Sequence, residues 1–184
     1  MQVIHHEREY AGKGTVIALG TFDGVHIGHQ KLIRTAAELA KARGLDSVVC
    51  TFDRHPLAVL RPGNEPMELL SLAEKLEKVD GLGADIALVM AFTREFAAIE
   101  AEDFLRSLAE GMRAQVLVVG ENYTFGSRGR GNSELLRQLA PQMGFEAVIV
   151  EPVTDGGEIV SSTRIRRLIE AGDVEYARRL MGEA

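Results

Sequence analysis

The sequence has few of the features that mark secreted or membrane-embedded proteins. Cys50 is the only cysteine, so an intrachain disulfide is impossible, and its apolar surroundings predict a buried structural thiol. No stretch approaches the roughly 20 apolar residues of a membrane-spanning helix. The N-terminal residues lack the basic and apolar segments of a secretion signal. We therefore expect a cytoplasmic protein that does not insert into a membrane.

Positive charge is also in short supply. The 21 Lys and Arg residues are outnumbered by 27 Asp and Glu residues, which gives a formal net charge of -6 at pH 7. A negative chain is repelled by a nucleic-acid backbone, so we expect no nucleic-acid partner. Any anionic ligand must be bound by local groups, and small molecules are the expected partners. No feature of the sequence indicates an oligomeric state.

The order of apolar and amphipathic segments predicts the fold class. The 184 residues fit one domain with its own core, and short β-branched runs alternate with segments of helical period. This alternation is typical of a Rossmann-like, doubly wound α/β fold, with a parallel sheet of about five strands and helices on both faces. The predicted strands are 15–19, 47–52, 85–91, 115–119 and 145–150. The predicted helices are 29–43, 71–80, 101–110, 133–141 and two short ones from 162 and 173.

A sheet of this kind predicts where a ligand binds. Parallel α/β sheets bind ligands at the carboxyl ends of their strands. We therefore expect the loops after the first, second and fourth predicted strands to form one site with the start of the helix at 162. These loops are also the segments with the most unusual composition.

The segment after the first predicted strand has the composition of a phosphate site. Glycines from Gly20 to Gly28 allow the backbone to approach a ligand closely, and the N-terminus of the next helix offers amides to an anion. His26 and His29 add imidazole donors, with Gly28 leaving room between them. Zinc binding is the competing function, but the chain has no HExxH motif and no cysteine cluster. An ordinary glycine-rich turn with two hydrogen-bonded histidines is the structural alternative.

Four ordered segments together resemble the adenylyltransferase module of bacterial FAD synthetases, within the HxGH nucleotidyltransferase superfamily. They are 20–30 (GTFDGVHIGHQ), 51–56 (TFDRHP), 119–126 (VGENYTFG) and 160–166 (VSSTRIR). The resemblance covers nearly the whole chain. It implies that residues 1–184 form a single nucleotidyltransferase domain, without the riboflavin kinase module that usually follows in the family. In that family the two histidines contact the ATP phosphates, which places His26 and His29 in catalysis.

The resemblance also implies roles for other residues of the nucleotide site. It places Gly20, Thr21, Phe22, Asp23 and Gly28 in the nucleotide loop. A second phosphate-binding segment is carried onto Ser161, Ser162, Thr163 and Arg166, where a helix N-terminus and an arginine suit a pyrophosphate leaving group. Helix capping alone explains one or two of the three hydroxyls.

The loop after the fourth predicted strand is assigned to ligand contacts in the family. Its amide and aromatic side chains, Asn122, Tyr123 and Phe125, suit a ribose, a base or a flavin ring, or they pack in the core. Many relatives have an arginine three residues after the Phe-Gly pair. This chain has glycine at that position, so the phosphate contact falls to Arg130 or to Arg128.

The segment after the second predicted strand carries two further candidates. The resemblance places Asp53 and His55 near the flavin phosphate and the metal. Incidental polar residues at a proline-terminated strand end are the alternative.

The implied reaction transfers AMP from Mg-ATP to FMN and gives FAD and pyrophosphate, with ATP and FMN as substrates. The expected catalytic residues are His26, His29, Asn122 and Arg166. The sequence has no compact carboxylate cluster, so Mg²⁺ is expected to be held mainly by ATP phosphates and water. The alternatives are a transferase of the same superfamily that uses CTP or another acceptor, and a non-catalytic module that binds flavin or ATP.

Overall fold

A six-stranded parallel sheet lies at the centre of residues 1–183, which are the residues that the computed structural model describes. Its strands are β1 (Gln2–Ile4), β2 (Thr15–Leu19), β3 (Asp46–Phe52), β4 (Ile86–Met90), β5 (Ala114–Gly120) and β6 (Glu146–Val150). They lie in the order β1-β4-β3-β2-β5-β6, and each neighbouring pair is parallel. After β2 the chain adds β3 and β4 on one side of the sheet, and it then adds β5 and β6 on the other side of β2. The order of the strands thus reverses between β2 and β5. Doubly wound sheets bind their ligands beside such a reversal.

Helices follow most of the strands. Those of residues 1–183 are α1 (Ile27–Arg43), α2 (Pro56–Leu60), α3 (Leu72–Gly81), α4 (Arg94–Ala97), α5 (Ala101–Gly111), α6 (Ser133–Met143), α7 (Ser162–Glu170) and α8 (Val174–Leu180). A short antiparallel hairpin, β7 (Thr154–Asp155) with β8 (Glu158–Ile159), precedes α7. None of these helices is long and apolar enough to cross a membrane.

Side chains of the central strand alternate between two hydrophobic layers, because successive residues of a strand point to opposite faces. Ile17 belongs to the layer that contains Leu105 of α5 and Leu136 of α6. Val16 belongs to the opposite layer, with Ile33 of α1. Both faces of the sheet are therefore covered by helices, which confirms the predicted fold class.

Local sequence accounts for the ends of the helices that flank the site. Helix α1 ends at Gly44, which adopts a left-handed φ of 66° and donates its N–H to the Ala40 carbonyl oxygen. Helix α3 begins with the predicted capping box. The Ser71 hydroxyl accepts from the Glu74 N–H, and the Glu74 carboxylate accepts from the Ser71 N–H.

The five predicted strands are all present, each within one residue of its expected ends. The structure also has β1 at the sheet edge. The sequence does not predict this strand, because its three residues are too few to show an alternating pattern. The structure further adds the short helices α2 and α4 and the β7–β8 hairpin. Cys50 is buried, and that burial raises the pKa of its thiol to about 12, which confirms a structural cysteine.

Candidate active site

Hydrogen bonds join the loops at the carboxyl ends of the central strands. The Thr51 hydroxyl, at the end of β3, donates to the Thr21 carbonyl oxygen at 2.9 Å. The Ser162 hydroxyl, at the start of α7, donates to the Asp23 carbonyl oxygen at 2.9 Å. Asn122, after β5, lines a cavity together with the loop after β2 and the start of α7. The segments that the sequence predicts to meet therefore do lie together.

The loop between β2 and α1 is held in a strained conformation. Phe22 and Val25 have left-handed φ angles of 51° and 40°, which non-glycine residues seldom adopt and a β-branched valine least of all. Both side chains are fully buried, so core packing holds the loop in this form. Strain of this kind clusters at ligand sites. Phe22 packs edge-on against His29 and is among the residues that line the cavity beside the histidines, so its predicted nucleotide contact stays a prediction.

The two histidines form a stacked, uncharged pair. Their ring centroids are 3.5 Å apart, and the ring planes differ by 18°. Burial lowers the pKa of His26 to about 4 and lowers the pKa of His29 well below its ordinary value, which the neighbouring His26 reinforces. Each ring therefore offers one N–H donor and one acceptor near neutral pH. These histidines can donate to a phosphate oxygen without carrying a charge of their own.

Each histidine ring has a defined environment. The His26 Nδ1 atom accepts from the His29 backbone N–H at 3.3 Å, so His26 caps α1. The His29 Nδ1 atom is buried and has no hydrogen-bond partner within residues 1–183. A Cβ atom at Gly28 would lie 3.1 Å from the His26 ring, so a larger residue there would require the His26 ring to shift slightly. Gly28 lines the cavity beside the two histidines, and its predicted ligand contact stays a prediction.

Asp23 and Arg166 form a buried ion pair between the β2–α1 loop and α7. Their side chains are only 10% and 12% exposed. The Arg166 Nε atom also donates to the Met67 carbonyl oxygen at 2.7 Å, and the Asp23 carboxylate accepts from the Leu69 N–H at 3.2 Å. The sequence predicts that Arg166 contacts the leaving group, but in this structure its guanidinium contacts Asp23 and the 61–71 loop.

The three hydroxyls at the start of α7 have different surroundings. Ser161 is the N-cap, and its hydroxyl accepts from the Arg164 N–H at 3.2 Å. Ser162 donates to the carbonyl oxygen of Asp23, whereas Thr163 is exposed. Ser161 therefore caps α7, Ser162 connects α7 to the β2–α1 loop, and Thr163 is exposed to solvent. Arg164 donates to two carbonyl oxygens of the β7–β8 hairpin and serves its packing.

A cavity of about 260 Å³ opens beside the histidines; we call it the nucleotide cavity. Its polar wall comes from the β2–α1 loop, the loop after β5 and the start of α7. Its apolar wall comes from α1 and the segment after β6. The residues that line it include Gly20, Thr21, His26, Gly28, His29, Asn122, Tyr123, Val150, Pro152, Val160 and Ser161. A Cβ atom at Gly20 would lie 2.9 Å from the Phe22 ring, so glycine is needed on this wall.

A second cavity, of about 420 Å³, is lined mainly by aromatic and aliphatic side chains; we call it the aromatic cavity. Its rings are Phe52, Phe92, Phe96, Phe104, Tyr123 and Phe125. Tyr123 stacks on Phe125 with 5.8 Å between the ring centroids, and burial raises the pKa of the Tyr123 phenol. Thr21 and Tyr123 line both cavities, so the two cavities adjoin. A flat, apolar ring system fits a wall of this composition.

The loop after β5 places its two arginines differently. Arg128 adopts a left-handed φ of 55° and lines the aromatic cavity. Arg130 is exposed and lies 4.0 Å from the Glu100 carboxylate, away from both cavities. Of the two arginines, Arg128 lines the aromatic cavity and Arg130 lines neither cavity, and the phosphate contact of either one stays a prediction.

A small polar cavity of about 20 Å³, the size of one water molecule, lies between the loops after β2 and β3. Asp53 lines it. Burial opposes ionisation of Asp53, but hydrogen bonds from Arg54 and the Phe92 N–H outweigh it and lower the pKa of the carboxyl. His55 also lines it and caps α2 through Nδ1, and burial lowers the pKa of His55.

Sequence reasoning missed Lys75, which lines the small polar cavity from α3 and is 8% exposed. It also missed Phe92 and Phe96 of the aromatic cavity. Each of these residues has an ordinary signal for helix or core, and only the folded chain brings it to the site.

The described residues hold no group of three or more His, Cys, Asp or Glu side chains that is arranged to bind a metal ion. The carboxylates of Asp23, Asp53 and Glu68 line the small polar cavity without forming such a group. Such a donor set fits a Mg²⁺ ion that is bound mainly by substrate phosphates and water.

Comparison with known proteins agrees with this geometry. A sequence profile described as FAD synthetase matches residues 9–164. The chain belongs to the FAD synthetase family. In this FAD synthetase family member the matched range includes the β2–α1 loop, the aromatic cavity and the first turn of α7.

Three curated relatives of this FAD synthetase family member are bifunctional riboflavin kinase/FMN adenylyltransferases. The protein from Listeria monocytogenes is 37% identical over 97% of this chain and 58% of its own length. The proteins from Bacillus subtilis and Escherichia coli K12 are 35% and 32% identical, over 57% and 58% of their lengths. The chain thus spans less than two thirds of each of these relatives.

Solved structures give the same fold. A structure described as a macrolide-efflux protein from Streptococcus pneumoniae has a TM-score of 0.88 and 33% identity, over 99% of this chain and 61% of that one. A pantothenate synthetase from Thermus thermophilus has a TM-score of 0.58 at 18% identity, over 99% of this chain and 81% of that one. The second likeness shows that the fold extends beyond the FAD synthetase family.

Proposed function

We propose that this chain is an FMN adenylyltransferase, which transfers AMP from Mg-ATP to FMN and releases pyrophosphate. One observation carries the proposal: a cavity with a polar wall at a helix N-terminus adjoins an aromatic cavity, and Thr21 and Tyr123 line both. A nucleotide in the first cavity and a flavin in the second would bring their phosphates together at this boundary. The name of the relatives in Listeria monocytogenes and Bacillus subtilis supports the same assignment.

The nucleotide cavity supplies donors for the phosphates of ATP. The N-terminus of the 17-residue helix α1 presents backbone amides and partial positive charge at this wall. His26 and His29 are neutral, so they donate hydrogen bonds without a separate positive charge that must be desolvated. Asn122, which is exposed in the loop after β5, supplies a further amide donor. We assign these side chains to the α-phosphate and the ribose.

The leaving pyrophosphate is assigned to the start of α7. Helix α7 presents its first turn to the nucleotide cavity through Ser161, and Thr163 is accessible. Arg166 lies one turn further along and is paired with Asp23. We propose that Arg166 exchanges Asp23 for pyrophosphate oxygens as negative charge develops on the leaving group, because bidentate arginine contacts to phosphate are strong.

The aromatic cavity suits the flavin ring of FMN. Phe92 and Phe96 contact the ring of Phe52 with centroid distances of 5.0 and 5.3 Å, so the wall is dense and apolar. Arg128 lines this cavity, and Asp53 and His55 line the small polar cavity from the loop after β3. We assign Arg128 and His55 to the FMN phosphate.

The chemistry needs no covalent intermediate. A phosphate oxygen of FMN forms a bond to the α-phosphorus of ATP, the bond from that phosphorus to the bridging oxygen breaks, and the electron pair leaves with pyrophosphate. The attacking oxygen is already anionic, so the protein has to align two anions and neutralise the leaving group. Mg²⁺ bound to the ATP phosphates would supply further positive charge, and Asp53, which lines the small polar cavity, is one carboxylate that could hold it.

The remaining assignments are proposals of the same kind. Residues 1–183 act as one nucleotidyltransferase domain, with ATP and FMN as the partners of its site. The formal net charge of -6 makes nucleic acid an unsuitable partner. The buried, unreactive Cys50 suits a reducing compartment, and we propose the cytoplasm.

The proposal is tested by incubating the purified protein with FMN, ATP and Mg²⁺, separating the flavins by chromatography and measuring pyrophosphate. We expect FAD and pyrophosphate in equal amounts. Parallel samples replace FMN with riboflavin, which lacks the attacking phosphate, or ATP with CTP. No FAD at any protein concentration, while ATP and FMN still bind, would identify a binding module instead. Transfer from CTP alone would identify a cytidylyltransferase.

A further inference from the structure

Lys75 is a buried ammonium group at the junction of the two loops that carry the site. It lies on α3, is 8% exposed and has no carboxylate within 4.0 Å in the described part of the chain. Its Nζ atom donates to the Thr21 carbonyl oxygen at 3.1 Å. It also donates to the Thr51 hydroxyl and to the Phe52 carbonyl oxygen, each at 3.4 Å. The three ammonium protons therefore have three acceptors, two on β3 and one after β2.

Packing alone does not account for a lysine at this position. A buried charge without an ion-pair partner destabilises a fold, whereas an apolar side chain of similar length fills the same space without that penalty. Burial accordingly lowers the pKa of Lys75, and the carboxylates of Asp23, Glu68 and Asp53 oppose that change. These three carboxylates face the ammonium across the small polar cavity.

The acceptors of Lys75 belong to the two halves of the proposed site. Thr21 lies in the loop that leads to the histidines, and it lines both the nucleotide and the aromatic cavity. Phe52 precedes Asp53 and His55, in the loop assigned to the FMN phosphate. The Thr51 hydroxyl closes the arrangement by donating to the Thr21 carbonyl oxygen at 2.9 Å. We call Lys75, Thr51 and Thr21 the loop clamp.

We propose that Lys75 is a positioning residue for adenylyl transfer, because it fixes the nucleotide loop relative to the loop that receives the FMN phosphate. The inference rests on the proposed function. Lys75 contacts no substrate in this account, since its protons are used by protein acceptors. It sets the approach of the FMN phosphate oxygen to the α-phosphorus through Thr21 and Phe52.

The test is the variant Lys75→Met, which keeps the length of the side chain and removes its charge. A misplacement of about 1 Å between reacting groups can lower a rate by about 100-fold, so we expect kcat to fall by about 30- to 100-fold. Each substrate still meets its own cavity. The dissociation constants of ATP alone and FMN alone, measured by calorimetry, should therefore change by less than about threefold, equivalent to about 0.65 kcal/mol.

Two further variants complete the test. Lys78→Met is the matched control, because Lys78 lies on the same helix but pairs with Glu183 away from the site, and its kcat should stay at the wild-type value. Thr51→Val removes one part of the loop clamp without changing side-chain shape. It should lower kcat by about 5- to 10-fold, a smaller change in the same direction as in Lys75→Met.

Each outcome decides the proposal. A kcat of Lys75→Met or Thr51→Val equal to that of wild type overturns it, and so does a loss of ATP or FMN binding in proportion to kcat. If Lys75→Met does not fold, Thr51→Val decides by the same criteria. An inactive wild-type protein overturns the proposed function and this inference with it, whereas an active wild type with an active Lys75→Met overturns only the role of Lys75.

Discussion

Asp23 and Arg166 are 143 positions apart in the sequence and form an ion pair, largely buried from solvent, that connects the β2–α1 loop to α7. The same aspartate accepts from the Leu69 N–H, and its carbonyl oxygen accepts from Ser162. Asp23 is thus the common contact of the two proposed phosphate-binding segments and the 61–71 loop. We therefore expect substrate binding at either segment to act on this pair.

Removing one member of this pair should destabilise the protein. Arg166→Met leaves the Asp23 carboxylate buried without its cation, and breaking a buried pair costs about 3 kcal/mol or more. The Asp23→Asn, Arg166→Met double variant should be more stable than the sum of the two single changes predicts, because neither charge is then left alone. Urea denaturation of the four proteins measures this coupling. Additive single effects would show that the two side chains do not interact in solution.

Ligand binding offers a second measurement on the same proteins. If Arg166 turns to pyrophosphate, saturating pyrophosphate and Mg²⁺ should reduce the coupling between Asp23 and Arg166. A coupling energy that is the same with and without pyrophosphate would leave Arg166 as a structural residue.

His29→Ala should lower kcat by about 100-fold or more, in line with the loss of one preorganised donor to a charged transition state. The fold should survive, because the His29 Nδ1 atom has no partner within residues 1–183 and the backbone N–H that His26 caps remains in the variant. Steady-state FAD formation and thermal unfolding measure the two effects. His6→Ala, at an exposed histidine, is the control. Turnover equal to that of wild type would remove His29 from the mechanism.

His26 should make the protein sensitive to acid. Its pKa is about 4 in the folded protein and 6.5 in the unfolded chain, so the unfolded state binds the extra proton between these values. Stability is therefore full above about pH 6.5 and falls as the pH decreases towards about 4, by up to about 3 kcal/mol. His26→Asn should lose less stability than wild type over this range.

The pH effect of His26 is measured by urea denaturation at several pH values between these limits. Groups distant from His26 titrate equally in both proteins, so the difference between the two curves reports His26 together with its effect on the neighbouring His29. Parallel curves for wild type and His26→Asn would show that the imidazole is not kept neutral by folding.

The sequence predicts much of the fold because its signals there are local. Strand β2 is a continuous apolar run. The capping box formed by Ser71 and Glu74, which lie within four residues of each other, marks the start of α3. The site depends more on tertiary position. Lys75 looks like a surface lysine of an amphipathic helix, and only the packing of α3 against the ends of β2 and β3 buries it.

The ion pair of Arg166 also depends on a residue that is distant in the sequence. A phosphate-binding arginine and an arginine paired with Asp23 have the same local sequence, because the partner comes from the other end of the chain. Similarly, Arg128 and Arg130 are indistinguishable by composition. The folded chain shows that Arg128, and not Arg130, lines the aromatic cavity.

The aromatic cavity can be separated from the nucleotide cavity by substituting Phe96. This ring contacts Phe52, Phe92 and Phe104 with centroid distances of 5.3, 5.6 and 5.8 Å, so Phe96→Ala opens one side of the cavity. The variant should lose one aromatic contact with the flavin ring, worth about 1.4 kcal/mol, which should raise the KM for FMN by about 10-fold. The KM for ATP should change by less than about twofold, because Phe96 does not line the nucleotide cavity.

Phe145→Ala is the matched control for this prediction. Phe145 belongs to the same hydrophobic layer but does not line the aromatic cavity, so its removal loosens the core without opening the flavin wall. Its KM for FMN should stay near the wild-type value while its melting temperature falls. An equal rise in the KM for FMN in both variants would mean that core packing, not a flavin contact, sets the affinity. If Phe96→Ala raised only the KM for ATP, the assignment would have to be reversed, with ATP in the aromatic cavity and FMN in the nucleotide cavity.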